Sequence, residues 1–370
     1  MELKSGYKHT EAGVIPEEWD VAELRSVCSM KSGEGITSAN IDQYSRYPCY
    51  GGNGLRGFTN SFTHDGSYAL IGRQGALCGN VTGADGKFFA SEHAVVVTAS
   101  QQTDIRWLTF VLGEMRLNRF SESSAQPGLS VSKVLKLRLP APPTKAEQRA
   151  IAQALSDVDA LLATLDQVIA KKRDLKQATM QQLLTGKTRL PGFSGEWEVK
   201  PLGEIAKPQK GQLITTKTLT LGDIPVIAGG KQPAYFHASA NRYGKTITVS
   251  ASGASAGYVA FHEAPIFASD CSTISKSERY CIEYIYYALQ LRQEEIYAAQ
   301  TGGAQPHIQP KDLAPILIKI PEDVTEQAAI ASVLSDMDTE ITELETRRDK
   351  TRQLKQAMMQ ELLTGKTRLV

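Results

Sequence analysis

The sequence predicts an α+β protein written twice: two globular mixed α/β domains separated by two long helices that form an antiparallel coiled coil, with internal pseudo-two-fold symmetry. Three observations predict it. A 44-residue segment recurs without a gap, an apolar stripe of helical period runs through both copies, and a weaker repeat precedes each copy.

The segment Glu147 to Leu190, EQRAIAQALSDVDALLATLDQVIAKKRDLKQATMQQLLTGKTRL, aligns on Glu326 to Leu369, EQAAIASVLSDMDTEITELETRRDKTRQLKQAMMQELLTGKTRL, at a constant offset of 179, with 26 identities. Upstream, Glu18-Trp19 matches Glu196-Trp197, and further pairs follow in the same order. Tyr47 to Gly52 matches Ile224 to Gly229, Gly75-Ala76 with Gly79 matches Gly253-Ala254 with Gly257, Phe89 to Ser91 matches Phe267 to Ser269, and Ala125-Gln126-Pro127 matches Ala304-Gln305-Pro306. The chain therefore divides into a first domain (1–143), a first spacer helix (144–188), a second domain (189–322) and a second spacer helix (323–370).

In the first helical segment Ile151, Leu155, Val158, Leu162, Leu165 and Ile169 recur at spacings of three and four, and Ile330, Leu334, Met337, Ile341 and Leu344 repeat the pattern in the second. Pro142, Pro143 and Thr144 suit the first helix start, Pro321 with Asp323 or Thr325 the second, and Gly186 and Gly365 suit the stops. Each helix should run about 40 residues, or roughly 60 Å at 1.5 Å per residue. A stripe of that length needs a second long helix as its partner, and the sister copy supplies one. The polar positions agree as well. Asp157, Asp159, Lys176, Gln177, Gln181 and Lys187 recur as Asp336, Asp338, Lys355, Gln356, Gln360 and Lys366, so two equivalent copies of an external partner are expected to bind there.

With 370 residues, 41% of them hydrophobic and 22% charged, the chain can bury two or more ordinary cores. No stretch approaches the roughly 20 apolar residues that cross a bilayer, and the N-terminus has no apolar signal region, so a cytoplasmic location is expected. Cys28, Cys49, Cys78, Cys271 and Cys281 form no C-x-x-C pair, so no metal site is expected. Charge lends nucleic-acid binding no support at the level of the whole chain: 41 Lys plus Arg stand against 40 Asp plus Glu. Any basic surface must be local.

Two motifs imitate catalysis. Gly-Lys-Thr at Gly186, Gly244 and Gly365 lacks the upstream glycine of a phosphate loop, since Gln181, Ser239 and Gln360 stand there. Gly253-Ala254-Ser255-Ala256-Gly257 matches the G-x-S-x-G elbow of serine hydrolases, with Asp270 and His307 following in the expected order. The internal repeat argues against a nucleophile, because Leu77 replaces the serine in the first copy while the glycines persist. No catalytic residue is expected. A serine hydrolase using Ser255, and a coiled-coil scaffold that never touches DNA, stay open as alternatives.

The opening IPEEW (Ile15 to Trp19) with its counterpart GEW (Gly195 to Trp197), the YPCYGGNG stretch (Tyr47 to Gly54) and the helix endings LLTGKTRL (Leu183 to Leu190, Leu362 to Leu369) resemble the specificity subunits of Type I restriction-modification enzymes, over essentially the full length. The resemblance implies two target-recognition domains on double-stranded DNA, two spacer helices, and docking of two DNA adenine methyltransferase subunits, with restriction subunits added in the full complex. It also implies that S-adenosylmethionine, ATP and magnesium belong to those partners and that this chain carries no cofactor.

On that reading, loop residues that fork onto base edges or phosphates are the candidates. In the first domain these are Lys31, Asn53, Arg56, Arg73 and Gln74, and in the second Lys210, Lys231, Gln232, Tyr235, Ser252 and Ser255; Gln126 and Gln305, each in an Ala-Gln-Pro turn, complete the set. Arg73 suits guanine, and Gln74 or Asn53 suits adenine.

Overall fold

The run Ala94–Ala99, AVVVTA, is buried at its first four positions, the pattern of a strand covered on both faces. It pairs antiparallel with Cys28–Ser32 on one side and Tyr68–Gly72 on the other, and Val81–Ala84 completes a four-stranded sheet. In the computed structural model, which describes residues 5–75, 77–121, 128–215, 217–302 and 305–369, the chain falls into two units: residues 1–166 with 347–370, and residues 167–346.

In the first unit a second sheet is built in the order Gly54–Thr59, Tyr47–Gly51, Lys87–Ala90, His64–Asp65, and its Cys49↔Phe89 pairing is parallel. The helix Ile105–Glu114 buries Trp107, Leu108, Val111 and Leu112 along one stripe and starts at Asp104, whose carboxylate accepts from the backbone amides of Arg106 and Trp107. These side chains join Ile15, Trp19, Leu24 and Leu139 in one core, to which Ile151, Leu155 and Leu362 of the long helices and the adjoining Leu363 contribute.

The second unit repeats this plan from different residues. Its four-stranded sheet runs Gln209–Lys210, Cys271–Ser275, Thr246–Ser250, Val259–His262, and its three-stranded sheet runs Tyr235–His237, Ile224–Ile227, Phe267–Ala268, again with a parallel pairing, Val226↔Phe267. Helix Ile282–Leu291 packs Tyr284, Ile285 and Leu289 against Leu202, Ile247 and Ile318, and Leu183, Leu184, Ile330 and Leu334 close the core.

The long helices span Lys145–Leu183 and Val324–Leu362, 39 residues each. Thr144 Oγ1 accepts from the Glu147 amide at the first start, and Asp323 Oδ1 from the Thr325 amide at the second. After each helix the chain turns at a glycine in the left-handed region, Gly186 (φ 65) and Gly365 (φ 73), as the sequence predicts. Within the first unit, moving from Asp159 to Asp166 moves the ion-pair partner from Lys355 back to Arg348; within the second, moving from Lys172 to Lys176 moves it from Glu340 back to Asp338. In each unit the two helical segments are therefore antiparallel.

Candidate nucleic-acid interface

In the first unit the strand ends deliver the predicted residues to one place. Lys31, near the end of strand Cys28–Ser32, lines a groove of 730 Å³ with Arg73, Gln74 and residues Ser130 to Ser132, where the short helix Val131–Val134 begins. Gln74 also lines an adjoining groove of 480 Å³ with Asn53, Arg56 and His93. The approach depends on glycine: a Cβ at Gly72 would lie 2.1 Å from the Gly52 carbonyl oxygen, so only hydrogen lets the two turns touch. Arg73 is held half-buried, donating from its guanidinium to Ser32 Oγ at 3.0 Å, while Lys31, Asn53, Arg56 and Gln74 are exposed. The segment after the turn is pinned by a backbone bridge between Gln74 and Gly128, with the Leu129 amide donating to the Arg73 carbonyl at 3.0 Å. Gln126 lies outside the described residues.

The second unit assembles the corresponding loops. Ser252 forms the same kind of bridge with His307, and the Ile308 amide donates to the Ala251 carbonyl at 2.9 Å. The turn carrying Lys231 and Gln232 lies beside it, since a Cβ at Gly229 would stand 2.6 Å from the Ser252 carbonyl oxygen. Lys231 and Gln232 are exposed, and the Lys231 ammonium lies 5.3 Å from the Tyr258 ring centre. Gln305 is exposed, with its carbonyl 3.2 Å from His307 Nδ1. Lys210 is exposed on its strand, and its carbonyl accepts from Arg242 at 3.2 Å; Tyr235 is 45% exposed on strand Tyr235–His237. Ser255 is half-buried in the 3-10 turn Gly253–Ser255.

That turn joins two strands of one sheet, whereas a nucleophile elbow joins a strand to a helix. Asp270 accepts a hydrogen bond from Ser252, and His307 Nδ1 lies against a backbone carbonyl, so the order Ser255, Asp270, His307 is not matched by a triad geometry.

The polar helix positions divide into two groups. Lys176 pairs with Asp338 at 2.6 Å, and Asp159 pairs with Lys355 at 2.6 Å; these are one interaction seen twice, because residues 159 and 176 recur as 338 and 355. Tyr287 also donates to Asp338, at 2.8 Å. The recurrence of these four residues thus has a cause inside the chain. Asp157, Gln177, Gln181, Lys187, Asp336, Gln356, Gln360 and Lys366 are exposed, and Asp157 accepts from Gln153 at 2.7 Å.

Sequence reasoning missed a clasp in each unit. Glu147 is 1% exposed, and its two carboxylate oxygens receive Arg368 Nε at 2.5 Å and Nη2 at 3.0 Å; Trp19 Nε1 adds a third donor at 3.3 Å. Glu326, also 1% exposed, receives Arg189 Nε at 2.9 Å and Nη2 at 2.6 Å. Beside them Gln148 accepts from the Asp104 amide at 2.7 Å, and Gln327 from the Cys281 amide at 2.9 Å. The EQ and TR identities were visible in the repeat. Their pairing was hidden, because each arginine meets the glutamate of the other copy.

Among the described residues no group of three or more His, Cys, Asp or Glu is placed to hold a metal, and no helix is long and apolar enough to cross a membrane.

A family model for the Type I restriction modification DNA specificity domain matches residues 16–171 and 194–355. The specificity subunit of the Type I restriction enzyme EcoprrI from Escherichia coli is 42% identical over 149 residues, 39% of this chain and 37% of that one. A putative Type I specificity subunit of Mycoplasma pneumoniae is 23% identical over 344 residues, 88% of this chain and 90% of that one. The crystal structure of the Type I restriction-modification S subunit from M. genitalium has the same fold, with a TM-score of 0.75 at 19% identity, covering 98% of both chains.

Proposed function

We propose a mode of action from one premise, that the chain belongs to the Type I restriction-modification DNA specificity family. Each unit reads its own half of a two-part, asymmetric DNA target. The observation that carries this is that the same loops converge in both units, on the same backbone bridge, but present different side chains there: Gln74 with Arg73 and Asn53 in one, Ser252 with Gln232 and Gln305 in the other, each set beside a lysine suited to phosphate, Lys31 or Lys231. Equal scaffolds with unequal reading groups suit two different half-sites.

The long helices act as the spacer that sets the unread gap, and half-site centres lie about 10 bp apart, by analogy with other two-fold DNA readers. The exposed recurrent positions Asp157, Gln177, Gln181 and Lys187, with Asp336, Gln356, Gln360 and Lys366, dock two DNA adenine methyltransferase subunits, and restriction subunits join the full complex. The chain itself is non-catalytic: S-adenosylmethionine, ATP and magnesium chemistry is assigned to those partners. With a formal net charge of +1, it draws much of its phosphate contact from the methyltransferase. Footprinting with the methyltransferase present tests this. Two short protected blocks are expected, and a single continuous block, or no protection, would refute it.

A further inference from the structure

We infer that Ser252 is a base-discriminating residue of the second unit, that Asp270 sets the polarity of its hydroxyl, and that it therefore reads an exocyclic amino group, adenine N6 or cytosine N4. This rests on the reading above, in which the loop cluster faces DNA.

The position is marked by the fold. Residue 252 occupies the backbone bridge that residue 74 occupies in the first unit, so the scaffold is held while the side chain changes from Gln74 to Ser252. A glutamine amide carries donor and acceptor at once, whereas a hydroxyl is ambivalent and turns to suit its neighbour. Here the neighbour is fixed. Ser252 Oγ donates to Asp270 Oδ2, and a carboxylate only accepts. Asp270 is itself anchored, its carbonyl accepting from the Ala251 amide at 3.0 Å. The hydroxyl proton is thus committed to Asp270, and Ser252 presents lone pairs elsewhere. Gly229 leaves room beside the hydroxyl, since a Cβ there would lie 3.1 Å from Ser252 Oγ.

An oriented acceptor discriminates in the major groove. Adenine N6 and cytosine N4 are donors, while guanine O6 and thymine O4 are acceptors that would face Ser252 with no proton between them. The residue corresponding to Asp270 in the first unit, Glu92, is used differently: it accepts from the Ile36 amide at 3.3 Å and lies 3.2 Å from His93 Nε2. The polarity device therefore belongs to the second unit.

The test uses the full chain assembled with its methyltransferase, titrated by anisotropy against its target duplex. Each adenine is replaced in turn by purine riboside's deoxy analogue and each cytosine by 2-pyrimidinone, which lack the amino group. At one position the wild type should lose about tenfold in affinity on losing the amine, and Ser252→Ala should bind the parent duplex about tenfold more weakly and ignore that replacement. Asp270→Asn should tolerate a keto base there, because the hydroxyl regains its freedom to donate. In both variants the bases of the other half-site should keep their wild-type ranking, which also shows that the protein is folded. If Asp270→Asn is unstable, Ser252→Ala still decides, since it removes a single oxygen. Wild-type discrimination at every position in both variants would overturn the inference. A different result, no base discrimination in that half-site and unchanged affinity on Lys210→Ala and Lys231→Ala, would overturn the DNA-facing reading itself.

Discussion

The clasp and the loop cluster are each built twice, and they differ in what the two copies retain. At the clasp both backbone and side chains recur: a buried glutamate gripped by an arginine from the LLTGKTRL segment of the other copy, Glu147 with Arg368 and Glu326 with Arg189. At the loops only the backbone bridge recurs, while Gln74 becomes Ser252. A bidentate fork onto a buried carboxylate admits little substitution, because the ion left behind has no solvent to turn to. A side chain facing a groove has no such constraint. The chain thus holds its scaffold constant and lets its loop side chains vary.

The largest effect expected from breaking this contrast is at the clasp. Arg189→Ala strands a carboxylate that is 1% exposed and should cost about 3–5 kcal/mol of stability, read as a lowered melting temperature. Arg368→Ala should fall at or below that loss, because Glu147 keeps the Trp19 indole as a donor. An unchanged melting temperature for either would show that the clasp is dispensable. Next in size, Gln74→Ala should weaken binding to one half-site by about 1–3 kcal/mol and relax the bases read there, while melting as the wild type does. Loss spread evenly over both half-sites would instead mark Gln74 as a phosphate contact.

Smaller again, Lys31→Ala, Lys210→Ala and Lys231→Ala should each weaken binding without changing sequence preference and lower the slope of log affinity against log salt by about one. The smallest effect belongs to the partly exposed helix pairs. Lys176→Ala and Lys355→Ala should cost about 0–1 kcal/mol in thermal melts and leave methyltransferase affinity intact, whereas Gln177→Ala with Gln356→Ala should lower that affinity without touching stability. The reverse pattern would return the paired residues to the partner surface.

How much of this the sequence carried depended on the range of the interaction. The long helices, with stripes such as Ile151 to Ile169 and stops at Gly186 and Gly365, were legible because helical periodicity and capping are local. The grouping of Lys31, Arg73 and Gln74 in one groove was approached through matching positions in the repeat. The clasps were not legible, since nothing local links Glu147 to Arg368. Recurrence of Asp159 and Lys176 read as an external docking face, when each pairs with the other's counterpart across the helices. Ser252 and Asp270 were separately visible, the first as a loop contact and the second in the serine-hydrolase order that the repeat argued against. Only the sheet register brings them together.

The central claim is that two different heads read two different half-sites. Methylation profiling of cells that carry this chain with its methyltransferase, as wild type and as Gln74→Ala, tests it most directly. The account predicts two short specified blocks separated by a fixed run of unspecified bases, with the variant relaxing one block only. A single uninterrupted motif, or relaxation of both blocks together, would contradict it.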